Sequence, residues 1–461
     1  MIFFQRFLVK TLYVFVLIQE YVNKVTITHI ILISIIFHVF VIAQPQFLQI
    51  WDESIFLEIM RDFLKGEDHV PYQLPGINFF QGTTTMIFGD NWFSWRIPSV
   101  IFGMMSLFIF YKIFREYTSE KNALLATTIL SFDTIFFVHS SLFLRDVPLM
   151  FFGILSFYFY IKKRYYLAAL SLGFAFLIKE TAVFFFLLIT INHLTINRNW
   201  NQNIHNLKKP LIFLSITSAS FLIPLWVYDI VYQPIIYDPM IVTEKLPDGR
   251  EGAISYPKVK LMESRGYSKQ TPIGVVTNPI EHLGVFLSKG YLGSDAYKVK
   301  NWNTNITNFP HNWVLPISLP QNANSLGWIN EKPFDDTYGG VLHIGKVFGI
   351  EWRGDPNQSL WIIGFWSTLG LITYGILKKR DKTTLFLISG IISMYVPYLL
   401  LQFTGRVMFP YYFILTVPFI SLGVVLTMDK IKHDKLRFIT KTVFLMTVFG
   451  WFALFFPLKL F

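Results

Sequence analysis

Residues 25–54 read VTITHIILISIIFHVFVIAQPQFLQIWDES. The run from Val25 to Ala43 is apolar apart from isolated Thr, Ser and His residues. A stretch of that length is what a helix needs to cross the hydrocarbon core of a bilayer. Pro45 follows it, and a few residues later two carboxylates, Asp52 and Glu53, stand side by side. Adjacent acids just past a membrane exit are costly unless they are solvated or used.

The rest of the chain repeats that opening. Of 461 residues, 53% are hydrophobic, only 15% are charged, and 49 are Phe, more than one soluble core could hide. Apolar runs of 17 to 23 residues recur, so the expected class is an all-α polytopic membrane protein. The net charge of +11 does not indicate nucleic acid, because the basic residues sit in short loops between spans. Cysteine is absent, which removes disulfides and thiolate chemistry.

Eleven spans are expected, at about 25–43, 92–111, 122–138, 147–161, two within 164–192, then 210–229, 358–377, 383–402, 407–427 and 439–457. The pair Lys179-Glu180 divides the 164–192 stretch. With the N-terminus inside, loops 112–121, 162–164, 193–209, 378–382 and 429–438 lie inside and each is net positive, whereas outer segment 45–91 holds seven acids and two bases. Reading 164–192 as one span would send the lysine clusters at 208–209 and 378–380 outside, so charge favours two. Residues 1–24 are apolar with Arg6 and Lys10 and show no cleavage signature. They read as an interfacial helix, a half-span or a start-site extension. Four regions follow: 1–24, an N-terminal membrane module 25–229 with its outer loop 45–91, an extracytoplasmic lobe 230–357, and a C-terminal membrane module 358–461.

The outer loop carries amphipathic periodicity around Ile55–Asp62, and Phe79–Phe88 suggests a second surface helix. The lobe holds twelve acids and twelve bases with Trp302, Trp313, Trp328 and Trp352, too charged to cross a membrane, and shows no evident helical or strand repeat. Asn305-Ile306-Thr307 and Asn357-Gln358-Ser359 fit the short N-glycosylation pattern.

This topology gathers Asp52, Glu53, Arg145, Asp146, Lys179, Glu180 and Arg406 at one membrane face. Each has a plain reading beside a chemical one. Asp52 or Glu53 could cap the following helix, or one could act as a general base while the other braces a loop or binds a divalent cation. Arg406, flanked by glycine and aromatics, is an interfacial anchor or a phosphate ligand. Lys179 snorkels or adds a point charge, with Glu180 pairing to Arg406 or Arg145. Asp133, inside the third span, and Asp146 call for partners among Arg145, Arg96 and His139, so Asp133 and Arg96 read as structural in-membrane charges. The scattered histidines lack metal-ligand spacing, and no metal site is expected from them.

Several of these pieces together resemble the GT-C glycosyltransferases, in particular the protein O-mannosyltransferases that use dolichyl-phosphate mannose and the aminoarabinose transferases that modify lipid A. They are Trp51-Asp52-Glu53, Phe88-Gly89-Asp90-Asn91, Arg96-Ile97-Pro98-Ser99, Phe132-Asp133 through Ser140 to Asp146, Phe176-Leu177-Ile178-Lys179-Glu180 and Arg406–Tyr412. The resemblance implies a GT-C fold and inverting transfer of a sugar, mannose or another hexose, from a polyprenyl or dolichyl phosphate. The acceptor would be a protein Ser/Thr hydroxyl or a lipid. It implies Asp52 and Glu53 as the catalytic acid pair, and substrate or donor-phosphate contacts are expected from Arg406, Lys179, Arg145, Asp146 and Glu180, the cations meeting the phosphate. Dense Lys, Asn and Ile with no cysteine fits a prokaryotic proteome, and the loop charges put the site on the outer face of its plasma membrane. Departures are visible: Tyr72-Gln73-Leu74-Pro75-Gly76 replaces a His-Pro-Pro-Leu-Gly-like run, and Ser141 stands where arginine is usual. A transporter would instead place broken, charged helices near the midplane and show internal repeats. A non-catalytic membrane subunit is the other competing class.

Overall fold

The computed structural model describes residues 25–44, 51–66, 74–196, 208–232, 237–245, 251–260, 349–350, 357–378, 381–402, 410–454, 456 and 458–459. Residues 1–24, Arg406, the Asn305 pattern and most of the lobe lie outside them.

The helices are α1 Ile27–Ile42, α2 Trp51–Lys65, α3 Gly76–Phe88, α4 Trp92–Tyr117, α5 Glu120–Ser131, α6 Thr134–Ser141, α7 Asp146–Ile161, α8 Tyr165–Ile178, α9 Val183–Ile196 and α10 Lys208–Tyr232. After the lobe come α11 Phe365–Lys378, α12 Lys382–Met394, α13 Val396–Gln402, α14 Val417–Asp429 and α15 Asp434–Leu454. Among the described residues, five helices are long and apolar enough to cross a bilayer, six if a bent pair counts as one span. Five more apolar helices are shorter, at 10–17 residues. The protein is thus a multi-pass membrane protein, and α2 and α3 fall where the two surface helices were expected.

Local sequence explains the starts. Asn91 caps α4 by accepting from the N–H groups of Phe93 and Ser94 at 3.1 and 3.0 Å, and Asp381 caps α12 at Thr384 N, 2.7 Å. The expected continuous third span is instead α5 and α6, bent by 64° at Phe132-Asp133. Asp133 is therefore no mid-span carboxylate in search of an arginine. It accepts the Phe136 N–H at 3.0 Å, satisfying a donor that the break would orphan.

Helices α7 and α8 form a hairpin, α8 packs on α10, and α9 packs on α12. Two contacts fix the direction of α9. Lys179, just before it, bonds Asp146 at the start of α7, and His193 near its end meets Tyr160 near the end of α7. Residues 164–192 therefore hold two antiparallel apolar helices, divided at Lys179-Glu180.

The bundle has two distinct ends. At one, Lys162 pairs with Glu116 at 2.6 Å, the Thr383 hydroxyl donates to Tyr117 O at 2.7 Å, and Lys441 joins Asp429 and Asn122 at 3.0 and 2.9 Å. At the other, Phe63 of α2 and Phe79 of α3 lie against Tyr228 near the end of α10, with ring centroids 6.2 and 6.3 Å apart.

Two readings need correction. The Asn357 pattern is not an accessible glycosylation acceptor: Asn357 is fully buried, donating to Val448 O at 3.2 Å and accepting from Leu360 N at 3.3 Å. The lobe, read without a strand signal, contains an antiparallel pair, β1 Tyr237–Lys245 and β2 Glu251–Lys260. Pro247-Asp248-Gly249 between them is a turn-forming sequence. A shorter pair joins β3 Gly349–Ile350 to β4 Leu458–Lys459.

Candidate active site

The site is built at the end of the bundle that carries α2 and α3. Two features dock those surface helices. Arg61 of α2 pairs with Asp90 at 2.8 Å, and Asp90 also accepts from Trp95 Nε1 at 2.6 Å. The start of α3 lies directly on the end of α8, where a Cβ at Gly76 would stand 2.7 Å from Leu177 O. Only glycine allows that approach, one turn from Lys179.

Glu53 points inward from α2 and is fully buried. Its carboxylate makes a two-pronged contact with Arg96 of α4, Nε to Oε1 at 2.9 Å and Nη2 to Oε2 at 2.7 Å. Oε1 also accepts the Phe143 N–H at 2.8 Å. One side chain therefore joins the surface helix, α4 and the 142–145 turn. Of the acid pair, Glu53 is the one that braces. Asp52 lies in the first turn of the same helix, and its side chain is outside the described residues.

Arg96 thus serves Glu53 rather than Asp133 or Asp146. Asp146, in the first turn of α7, takes Lys179 Nζ at 2.7 Å in a pair almost closed to solvent. His139 Nδ1 lies 4.0 Å from the other Asp146 oxygen. Among the described residues neither His139 ring nitrogen has a hydrogen-bond partner, and the ring packs against Tyr411 with centroids 5.4 Å apart. Ser141, at the position of the missing arginine, shares a 2.6 Å hydrogen bond with His38.

Two charges stand out by what they lack. Arg145 is buried with its guanidinium 5.1 Å over the Phe56 ring, and among the described residues that guanidinium has no hydrogen bond or ion pair. Both Glu180 oxygens are shielded and have no partner among the described residues, so the expected Glu180–Arg145 pair does not form. No group of three or more potential metal ligands occurs among the described residues. The structure thus brings Glu53, Arg96, Arg145, Asp146, Lys179 and Glu180 to one end. Asp133 serves elsewhere as a cap. Sequence reasoning named His139 only as a partner for the acids, and it missed the Phe143 N–H, a backbone group with no signature.

Among the described residues, such an arrangement offers a cation without a bonded anion, a neutralised lysine that can be re-partnered, and two surface helices over them. Those are features of a site for an anionic, membrane-borne ligand.

Comparison with known proteins bears on this geometry. The sequence profile of the dolichyl-phosphate-mannose-protein mannosyltransferases matches residues 69–228. The structure is similar to the Saccharomyces cerevisiae protein O-mannosyltransferase Pmt1–Pmt2 complex bound to the sugar donor (TM-score 0.60, 12% identity, 94% of this chain and 89% of that one). It is also similar to ArnT from Cupriavidus metallidurans bound to undecaprenyl phosphate (TM-score 0.52, 10% identity, 88% and 60%). A third neighbour is the archaeal oligosaccharyltransferase AglB from Archaeoglobus fulgidus, in complex with an inhibitory peptide and a dolichol-phosphate (TM-score 0.51, 12% identity, 94% and 56%). The chain spans 60% of the ArnT chain and 56% of the AglB chain. No curated protein matches it by sequence. At these identities the likeness establishes the fold. The chain has the GT-C architecture and resembles the mannosyltransferases and ArnT.

Proposed function

We propose that this GT-C protein is a glycosyltransferase that moves a sugar, mannose or another hexose, from a polyprenyl or dolichyl phosphate to a Ser/Thr hydroxyl of a protein. The observation that carries the reading is Arg145, a buried guanidinium with no hydrogen-bonded anion among the described residues, beside the Asp146–Lys179 pair at the surface-helix end. A donor phosphate supplies the missing charge. The profile match to mannosyltransferases, and a neighbour that spans most of both chains, favour a protein acceptor. The likeness to ArnT favours the second reading, a lipid acceptor.

In the proposed reaction Asp52 takes the proton of the acceptor hydroxyl as its oxygen bonds the anomeric carbon. The bond from that carbon to the lipid phosphate breaks, and its electron pair leaves on the phosphate. This single displacement inverts the anomeric configuration. Arg145, Lys179 and Arg406 hold the phosphate, and Glu180 faces the polar part of the ligand. Glu53 positions α2 through Arg96. A divalent cation at Asp52 is an open addition to the scheme. By the positive-inside rule the lysine-rich end lies in the cytoplasm, which puts the site on the outer face of a prokaryotic plasma membrane.

The test is transfer from a synthetic prenyl-phosphate mannose to Ser/Thr peptides and to glycolipids by the purified protein. Asp52→Asn should abolish transfer with an unchanged melting midpoint. Arg145→Leu should raise the donor KM at least about tenfold, the loss of one charge-assisted contact. Full activity in Asp52→Asn overturns the base assignment.

A further inference from the structure

His139 has no role in the scheme so far, yet its setting is specific. It is 1% exposed, and both ring nitrogens lack a hydrogen-bond partner among the described residues. It faces Asp146 Oδ2 at 4.0 Å, while Lys179 holds Oδ1 at 2.7 Å. One carboxylate is thus poised between two groups that can carry positive charge, and only one of them is bonded to it.

The neighbouring elements narrow the candidates. On α1, His38 is engaged with Ser141. On α4, Arg96 is held by Glu53. At the start of α7, Arg145 lies over Phe56. At the end of α5, Asp133 caps α6. The 410–415 turn contributes Tyr411, which contacts the ring face of His139.

We infer that His139 is a positioning residue that takes over Asp146 when the donor phosphate engages Lys179. The inference rests on the donor-site reading above. While the site is empty, Lys179 neutralises Asp146 and a second cation beside it would be repelled. When a phosphate draws the ammonium away, Asp146 becomes a buried carboxylate that has lost its bonded counter-charge, a costly state. His139 Nδ1 can gain a proton, and a small closing of its 4.0 Å gap to Asp146 makes the imidazolium–carboxylate bond and keeps Asp146 ionised. Donor binding therefore takes up one proton from solvent, and Asp146 stays anchored while Lys179 moves.

The probe is farnesyl methyl phosphate, a phosphodiester that stays a monoanion over pH 5–9. Its binding to the full chain in nanodiscs is measured by calorimetry in two buffers of different protonation enthalpy, and its Kd is followed with pH. Linkage predicts net proton uptake and a Kd that rises with pH, approaching about tenfold per unit at its steepest. His139→Gln, which cannot charge, and His139→Phe, which keeps the contact with Tyr411, should both bind with a flat pH profile. Wild-type binding without proton uptake overturns the inference and leaves the donor site standing. Uptake that persists in a folded His139 variant also overturns it. Failure of the wild type to bind the probe at any pH overturns the donor-site reading itself.

Discussion

Glu53 and Arg96 give the sharpest test of how the site is held. Both side chains are fully inaccessible, and they share two charge-assisted hydrogen bonds of 2.9 and 2.7 Å. Replacing Arg96 with Met leaves a buried carboxylate that has lost its guanidinium, with the Phe143 N–H still donating to it. Stranding one partner of such a pair costs about 3–5 kcal/mol. Glu53→Gln should cost a comparable amount, because its amide would turn N–H donors toward the guanidinium. The double variant Glu53→Gln/Arg96→Met behaves differently. The Gln oxygen can still accept from Phe143, no net charge remains, and Met fills much of the arginine stem volume. Its loss should fall short of the sum of the single losses by more than about 2 kcal/mol, the signature of direct coupling. Tryptophan-fluorescence melting of the four proteins in one detergent measures this, with donor-transfer assays alongside. If Glu53 only positions α2, activity should return with stability in the double variant. A double variant that melts like wild type and remains inactive would refute the positioning role and make Glu53 chemical. A wild-type melt for Arg96→Met would refute the pair's energetic importance altogether.

Other outcomes are expected from the same geometry. A Cβ at Gly173 would stand 1.9 Å from Ser220 Oγ and 2.8 Å from the Thr217 carbonyl. Gly173→Ala should therefore destabilise the α8–α10 contact by about 1–3 kcal/mol, and adding Ser220→Ala should rescue it only in part, since the carbonyl stays. In the polar cluster where α14 exits the bundle, burial alone would raise the Asp429 carboxyl. Hydrogen bonds from Lys441 and Asn122, with the charges of Lys441 and Arg437, outweigh burial and hold it below the usual range. A depressed carboxyl stabilises the fold above its unfolded pKa, and that contribution is lost as pH falls through the folded value. The wild-type melting midpoint should thus drop below about pH 4, and Asp429→Asn should be less stable at neutral pH but flatter across that window.

Hydropathy and loop charge made many of the apolar helices legible, including the division of residues 164–192. Tyr160–His193 and Asp146–Lys179 tie opposite ends of α7 to opposite ends of α9, as charge parity required. The break at Phe132-Asp133 was not legible, because both flanks are equally apolar and neither Pro nor Gly marks the bend. Partner choice was not legible either. Arg96, Arg145 and Lys179 are equivalent cations to a reader of sequence, and only packing decides that Arg96 meets Glu53, 43 residues away, while Arg145 lies over Phe56. The surface helices were visible by period, but Gly76 as their docking point depends on where Leu177 O arrives in space.

The distribution of charge at this end argues for a ligand more strongly than any single residue. Buried ion pairs contribute little net stability over apolar residues of similar size, so a scaffold alone has small use for them. Glu53–Arg96 fixes three elements at once, and Asp146–Lys179 joins the start of α7 to the corner before α9. Those pairs hold positions. Arg145 and Glu180 hold nothing among the described residues, yet the Arg145 side chain and the Glu180 oxygens are withdrawn from solvent. A guanidinium and a carboxylate withheld from water in a frame already rigid are suited to an incoming partner. A phosphate meeting the first and a sugar hydroxyl meeting the second would satisfy both at once. Loss of either side chain should therefore weaken donor binding far more than it weakens the fold.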